Sequence, residues 1–397
     1  MNIGIVTTWF ERGAAQVSHQ YKEILGQDNE VFIYARGGEK YARNNPKWDT
    51  PDVTWGKKTV FQLNGTPIHK KDFKKWIKKN NIEILLFNEQ QWWLPVIWAK
   101  EWGIKTGSYI DYYTKETIPF FEIFDFLICN TRRHYSAFNW HQGCHLVNWG
   151  TDINLFSPKS NLPKNDKLTF FNSAGHNPDR KGVGELINAF YNLNTNKAKL
   201  VIHSQVNLIK YYPSLNDIIN ELIENNKLEI ITKTVAAPGL YYLGDIYCYI
   251  SKLDGIGLTV PEALASGLPV ITPDHPPMNE FVKDGLNGKL VDIESTYYRE
   301  DNYYWPQLKI KQESLVDTLK YYIKNSNSIE SYKKKARQYA ENHLDWKDRA
   351  KEINNIFKNA KKNKSSQILK KIKLYEVRNI FKNIHRFPII LMKTIRR

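Results

Sequence analysis

The pattern that most constrains this chain of 397 residues is an alternation that runs through it twice. Short apolar runs trade places with stretches of helical periodicity, first over residues 1–148 and again from 168 onward. The first series predicts strands over 3–7, 31–35, 84–87, 105–110, 126–129 and 145–148, with helices over 15–25, 71–79, 95–102 and 132–140. The second predicts strands over 168–173, 199–203, 228–232, 246–250 and 268–272, helices over 183–193 and 215–224, and a short helix near Leu240. Apolar strands separated by helices belong to a parallel sheet covered on both faces. A stretch rich in Asn, Pro, Ser and Lys, 149–166, reads as the linker between two such domains. Ligands of doubly wound sheets bind outside the carboxyl ends of the strands, so the expectation is two sheets whose strand ends face one cleft. Residues 295–310, STYYREDNYYWPQLKI, break the rhythm and read as an inserted loop. Helices are expected after it, over 313–324, 329–342 and 346–357.

Composition enters where it excludes alternatives. A hydrophobic content of 42% suffices for two cores. The three cysteines, Cys129, Cys144 and Cys248, lack metal-ligand spacing, and no metal site is expected. Cys129 and Cys248 end apolar runs and read as buried thiols, which suits a reducing, cytoplasmic compartment. The opening MNIGIVTTWF lacks a basic region followed by a long apolar stretch, so it reads as a first strand rather than a signal peptide. No apolar run reaches the length of a membrane-spanning helix.

The net charge of +16 is a property of the tail: residues 361–397 hold twelve Lys/Arg and one acid, Glu376, which is +11. The other 360 residues carry 45 Lys/Arg against 40 acids, only +5, so a broad nucleic-acid-binding face is not expected.

Chemistry concentrates in 254–280, DGIGLTVPEALASGLPVITPDHPPMNE. Gly255 and Gly257 let the backbone approach an anion closely. A helix beginning at Pro261 or Glu262, with Pro261 suited to its first position, would point N–H groups and a positive dipole end at that anion. Backbone contacts are therefore expected along Gly255, Ile256, Gly257, Leu258 and Thr259, with Glu262 placed to accept hydrogen bonds from ribose hydroxyls. A second signal is 172–182, NSAGHNPDRKG, between a strand and a helix, which sets His176, Arg180 and Lys181 near a strand end. A third is 7–16, TTWFERGAAQ, a strand, a small-residue loop with Gly13, and a helix.

The stretch 254–280 resembles the donor-sugar site of retaining glycosyltransferases of family four, the glycosyl transferases group 1, which have the GT-B fold. That family carries Glu, seven residues, Glu, then Ala-(Leu/Met)-Ala-x-Gly-x-Pro-Val; here Asp254 stands for the first Glu and Glu262 is the second. The family's Gly-Arg, four residues, Lys-Gly is matched by Gly175, Lys181 and Gly182, with His176 in the Arg position. His is charged only in part near neutral pH, and Arg180 is an alternative second cation. The segment from Asn148 to Pro158 resembles the family's interdomain hinge. Where relatives have Gly-Gly-x-x-Glu, this chain has Pro276-Pro277-Met278-Asn279-Glu280, which supplies fewer backbone donors.

The resemblance implies two Rossmann-like domains: 1–155 for the acceptor, joined by a helix at about 344–359, and 160–343 for the donor, with 360–397 as a basic tail. It implies a nucleotide diphosphate sugar as co-substrate, no further cofactor, retention of configuration and no mandatory metal; the sequence has no Asp-x-Asp motif. Lys181, Asp254 and Glu262 are the expected catalytic residues. Gly13, His176, Arg180, the segment from Gly255 to Thr259, and Glu280 are expected donor contacts, with capping of the next helix as the other role for Glu280. Asp111 and the Asn88-Glu89-Gln90 segment are candidates for the acceptor side or for ordinary caps. Trp92, Trp93, Trp98 and Trp102 read as core or as a sugar platform.

In the tail, Ile368, Ile372 and Tyr375 share one side of a helix, while Lys371, Arg378 and Lys382 lie on another. Pro388 is expected to break that helix before the apolar patch 389–392. This predicts an interfacial segment on anionic lipid, hence peripheral attachment at the inner face of a membrane. A glycan or lipid-linked acceptor, as in surface polysaccharide or lipopolysaccharide assembly, would explain that location. The rival readings are a nucleic-acid-modifying transferase and an inactive sugar-nucleotide- or glycan-binding relative.

Overall fold

A computed structural model of the chain describes residues 1–37, 41–59, 65–159, 166–363 and 366–383. The chain divides into two compact units, Met1–Asn148 with the segment from Asp348 onward, and Trp149–Lys347.

In the first unit the expected alternation is present. β1 (Asn2–Thr7), α1 (Gly13–Leu25), β2 (Glu30–Ala35) and β3 (Val53–Trp55) come first. α2 (Lys70–Lys79), β4 (Ile84–Asn88), α3 (Leu94–Glu101), β5 (Lys105–Tyr109), β6 (Phe126–Cys129), α4 (Arg132–Phe138) and β7 (Cys144–Leu146) follow. The strands pair in parallel in the order β3-β2-β1-β4-β5-β6-β7. The order reverses between β1 and β4, the topological switch point of a doubly wound sheet. Ile3, Ile5, Leu85, Phe87 and Leu127 are buried, as a sheet covered on both faces requires. The strand β3 escapes sequence reading because three residues give no periodicity.

Trp93 is core, packed edge-on against Phe120 and Phe121, whereas Trp92, Trp98 and Trp102 are partly exposed. Cysteines far apart in sequence come together here: Sγ of Cys129 on β6 lies 3.7 Å from Sγ of Cys144 on the neighbouring β7. Cys129 and Cys248 are buried free thiols.

The second unit repeats the plan. β8 (Leu168–Gly175), α5 (Val183–Asn192), β9 (Ala198–Ser204), α6 (Leu208–Tyr211), α7 (Asn216–Glu224) and β10 (Leu228–Thr232) form its first half. β11 (Ile246–Cys248), α8 (Thr259–Ala265), β12 (Val270–Pro273) and β13 (Gly288–Val291) form its second. The parallel order is β10-β9-β8-β11-β12-β13, with the reversal between β8 and β11. Phe170, Leu186, Leu200, Ile246 and Ile271 lie in its core.

Three expectations change here. The inserted loop 295–310 is instead an antiparallel hairpin, β14 (Ile293–Tyr297) with β15 (Gln307–Ile310). Its Thr, Tyr and Ile residues favour strands, and polar residues in the turn hid that signal. Residues 149–159 are folded rather than a bare linker: Trp149 is buried 4.5 Å from the Trp346 ring, and Thr151 bridges to Asp345. Residues 160–165 lie outside the described residues. The helix of the 254–280 motif begins at Thr259, so Pro261 is its third residue rather than its first. The third N–H of a helix also lacks an intrahelical acceptor, so proline is tolerated there.

After α9 (Gln312–Lys324) and α10 (Ile329–His343), the chain enters the first unit as α11 (Ala350–Asn359) and α12 (Ser366–Asn383). α11 packs on α1, with Asn29 Nδ2 donating to Asn354 Oδ1 at 2.9 Å. The side of α12 expected to meet lipid is buried in protein. Ile368 and Ile372 are covered, Tyr375 packs 5.0 Å from the Phe120 ring, and the Trp93 N–H donates to Glu376 Oε1 at 2.8 Å. Burial of each isoleucine stabilises that docking by about 1.5–3 kcal/mol. The opposite face exposes Leu374, Val377 and Phe381 between Lys370, Lys373 and Arg378. Lys382's side chain, Pro388 and 389–392 lie outside the described residues.

Candidate active site

The candidate site stands at the switch point of the second unit, on the loops leaving β8, β11 and β12. The Asn172 side chain on β8 ties that point together by donating from Nδ2 to the carbonyl of Cys248 on β11 at 2.7 Å. The β8 loop then returns to α5 through Gly182, with φ +65°, and any Cβ there would sit 2.0 Å from the Ile250 carbonyl oxygen. Only glycine lets this turn press so close to β11, and the approach fixes the position of the preceding Lys181.

Lys181 and Arg180 converge on one oxygen of Asp254. Lys181 Nζ lies 2.6 Å and Arg180 Nη1 2.9 Å from Asp254 Oδ2. Tyr249 O–H donates to the same oxygen, and Lys181 Nζ also donates to the Tyr249 hydroxyl at 2.7 Å. The second oxygen, Oδ1, accepts the Gly257 N–H at 3.2 Å and so shapes the turn at Gly257, where φ is +85°. Arg180 Nη1 is held further by the Leu253 carbonyl at 2.7 Å.

The Lys181 and Asp254 side chains are only 14% and 16% exposed, so their charges interact through little water. Burial pushes the Lys181 ammonium down to about 8, against the opposing pull of Asp254. Burial works against charge on Asp254 too, but Lys181 and Arg180 outweigh it and hold its carboxyl well below the usual range. Removing one partner of such a buried pair typically costs about 3–5 kcal/mol.

On α8, Glu262 is half-buried, and its Oε2 accepts the Tyr241 hydroxyl at 2.6 Å. Burial raises its pKa to about 7, although the Tyr241 hydrogen bond and the Lys181 charge pull the other way. The carboxyl therefore changes charge in the neutral range. Ile256 and Gly257 are buried, while Gly255, Leu258 and Thr259 are partly exposed along the approach to α8. Glu280 ends a short turn, Met278–Glu280, after β12 and is half-buried.

His176 stands exposed in the turn after β8. The second cation at Asp254 comes from Arg180. Gly13 lies in the first unit, where it opens α1, and Arg12 before it pairs with Glu89 at 3.1 Å. That pair joins the loops leaving β1 and β4, the first unit's own switch point. Asn88 is buried there, donating to the Ala14 carbonyl and to Ser18 Oγ, so it holds that turn in place. Asp111 follows β5 and is half-buried.

Sequence reasoning missed Tyr249 and Tyr241. Tyr249 ends an apolar run and reads as core, and its contact with Lys181 spans 68 residues. Tyr241 meets Glu262 across 21 residues. Neither pairing leaves a local spacing signal.

Two doubly wound domains, one with clustered cations and acids at its switch point, define a protein of the GT-B fold, and solved structures agree. Anabaena HepE, in complex with UDP and glucose, superposes with a TM-score of 0.69 over 90% of this chain and 99% of its own, at 14% identity. Residues 153–297 match the family described as glycosyl transferases group 1. A UDP-N-acetylglucosamine–peptide N-acetylglucosaminyltransferase GtfA subunit of Streptococcus pneumoniae is 28% identical over 35% of this chain and 27% of its own length. An alpha-monoglucosyldiacylglycerol synthase of Acholeplasma laidlawii is 32% identical over 27% of each chain. The chain thus spans about a quarter of the length of these curated relatives.

Proposed function

We propose that this chain is a glycosyltransferase that moves a sugar, with retention of configuration, from a nucleotide diphosphate sugar to a hydroxyl of a glycan or glycolipid. The observation that carries the reading is the convergence of Lys181 and Arg180 on Asp254 Oδ2 at the switch point, beside Glu262. Two buried-side cations there suit a diphosphate, and a carboxylate on the adjacent helix suits ribose hydroxyls. UDP is the favoured nucleotide, as in the HepE complex and the streptococcal GtfA subunit.

In the reaction, the bond between the anomeric carbon and the β-phosphate oxygen breaks, and its electron pair stays on that oxygen. Lys181 and Arg180 meet the charge as it develops, the use of preorganised donors that contributes most in such sites. The acceptor oxygen attacks from the face the diphosphate leaves, and its proton passes to the departing phosphate oxygen. Asp254 keeps both cations in place before the donor arrives and is a positioning residue. Glu262, oriented by Tyr241, holds the ribose. The cations take the neutralising role here, so the reaction is expected to persist in a chelator. Proton NMR of the product from a donor of known anomeric configuration tests the stereochemistry; an inverted product would refute retention.

For the acceptor side we assign the β1 and β4 loops of the first unit, with Arg12 and Glu89. A lipid-carried acceptor accords with the exposed stripe Leu374, Val377 and Phe381 flanked by Lys370, Lys373 and Arg378. Apolar insertion beside basic residues is the pattern of attachment to anionic membranes. Among the described residues no helix is long and apolar enough to cross a membrane. Co-sedimentation with vesicles containing phosphatidylglycerol checks the attachment, which the double change Leu374→Ser and Phe381→Ser should abolish; unchanged binding would contradict it.

A further inference from the structure

The first unit carries a groove of about 1260 Å³ that none of the roles above uses. Glu122 and Asp125 before β6, and the residues from Trp140 to Gly143 before β7, form one wall. One face of α11 and the residues after it form the other. The groove therefore sits at the amino ends of the strands, the edge opposite the β1 and β4 loops. Its volume exceeds the ~300–1,000 Å³ usual for small-molecule sites, so it has room for more than one sugar ring.

Trp140 is the informative residue. It is 46% exposed, a large apolar surface to leave in water, yet it is held: its indole N–H donates to the Ala137 carbonyl at 3.0 Å. The neighbouring His141 is fixed at both nitrogens. Nδ1 accepts the Gly143 N–H at 3.0 Å, so Nε2 carries the proton given to the Phe124 carbonyl at 3.2 Å. Burial pushes His141 and His145 below their ordinary pKa, which keeps both imidazoles uncharged. The far end is pinned as well, because the Asn363 N–H donates to Asp125 Oδ1 at 2.6 Å. Asp125 also pairs with Lys100 at 2.8 Å, so its charge is already met.

Opposite Trp140, α11 presents the exposed amides of Asn355 and Asn359, and Gln142 adds a third from the Trp140 side. Among the described residues these three side chains make no hydrogen bond. The remaining charges balance, with Glu122, Asp348 and Glu352 against Lys351, Lys361 and Lys362. An anion would gain little from such a balance. A polyhydroxylated neutral ligand suits it, because amides donate and accept with hydroxyls, and the C–H face of a pyranose packs on an aromatic plane. We infer that this groove binds a neutral oligosaccharide, with Trp140 as the stacking platform and Gln142, Asn355 and Asn359 as hydroxyl partners. Such a site would hold a glycan chain on the enzyme independently of turnover at the donor site.

The test uses the full chain, titrated by calorimetry with maltotetraose, cellotetraose and the N-acetylglucosamine tetramer. At least one should bind with a Kd in the millimolar range or tighter. Trp140→Ala should weaken that binding at least tenfold and Trp140→Phe much less. Asn355→Lys, on an exposed helix face, should weaken it at least fivefold with the melting midpoint unchanged. Glu262→Ala, which addresses the donor site, should leave tetrasaccharide binding as in the wild type. Failure of the wild type to bind any of the three would overturn the assignment. So would binding that survives both groove variants, or binding lost in Glu262→Ala.

Discussion

Replacing Tyr241 by Phe removes one hydroxyl and tests the role of Glu262 sharply. The Tyr241 O–H donates to Glu262 Oε2 at 2.6 Å, and it is among the groups that favour the charged carboxylate against burial. A hydrogen bond to a charged group contributes about 1.5–3 kcal/mol, which is roughly one to two pKa units. From its present value of about 7, the Glu262 pKa would rise to roughly 8–9 in the variant. At pH 7.5 the ionised fraction then falls from about three quarters to between about a quarter and a thirtieth. If the carboxylate is the form that holds the ribose, donor affinity relative to wild type falls by about 3- to 25-fold at that pH, and the difference closes toward pH 9.5. Calorimetric titration of wild type and Tyr241→Phe with UDP-glucose and UDP-N-acetylglucosamine, from pH 6 to 9.5, measures it. Equal affinities for the two proteins across that range, with the variant folded, would refute the assignment of Glu262.

Four further outcomes are expected. Lys181→Ala should lower kcat by roughly 10²–10³, the usual cost of losing one charge-stabilising donor. The wild-type rate should fall as pH rises through about 8, where the Lys181 ammonium loses its proton; steady-state kinetics read both. Gly182→Ala places Cβ against the Ile250 carbonyl at φ +65°. It should cost at least about 1–2 kcal/mol, or roughly 2–8 °C in melting midpoint, with loss of turnover; a neutral result in differential scanning fluorimetry and activity would contradict the turn's role. Glu376 is raised by burial to about 7 in the folded chain, above its ordinary 4.5. Its share of α12 docking is therefore complete below the ordinary carboxylate range and lost as pH rises through about 7. Hydrogen exchange at the Ile372 amide, corrected for intrinsic rate, should be faster at pH 8 than at pH 6, and Glu376→Gln should remove that difference.

The parts of this molecule legible in the sequence are those that local pattern dictates. Apolar runs located the strands of both sheets except β3 and β13, because a parallel strand buried on two faces leaves a continuous signature, as at 84–88 and 126–129. Fixed spacing located Lys181, Asp254 and Glu262 because each sits on a loop or helix next to a strand end. The distant partners were not legible. The Tyr249–Lys181 and Tyr241–Glu262 pairs are set by which strands lie side by side. The same holds for Cys129 and Cys144, which look unrelated until β6 and β7 pair. The tail shows the limit of amphipathicity: one helix, α12, has two apolar stripes. The pattern identified the stripe with Ile368 and Ile372 but could not say that protein, rather than lipid, covers it.

The Lys181–Asp254–Glu262 cluster is proposed to bind a nucleotide diphosphate sugar. The most direct measurement is a thermal-shift screen of the purified full chain against UDP-, GDP-, ADP- and TDP-sugars, with and without a chelator, beside Glu262→Ala. A ligand of the folded state at a hundred times its Kd adds about 2.7 kcal/mol, a shift of several degrees. The account predicts such a shift with at least one of these donors, unchanged by the chelator and abolished in Glu262→Ala. No shift with any of the four, or an equal shift in the variant, would contradict it.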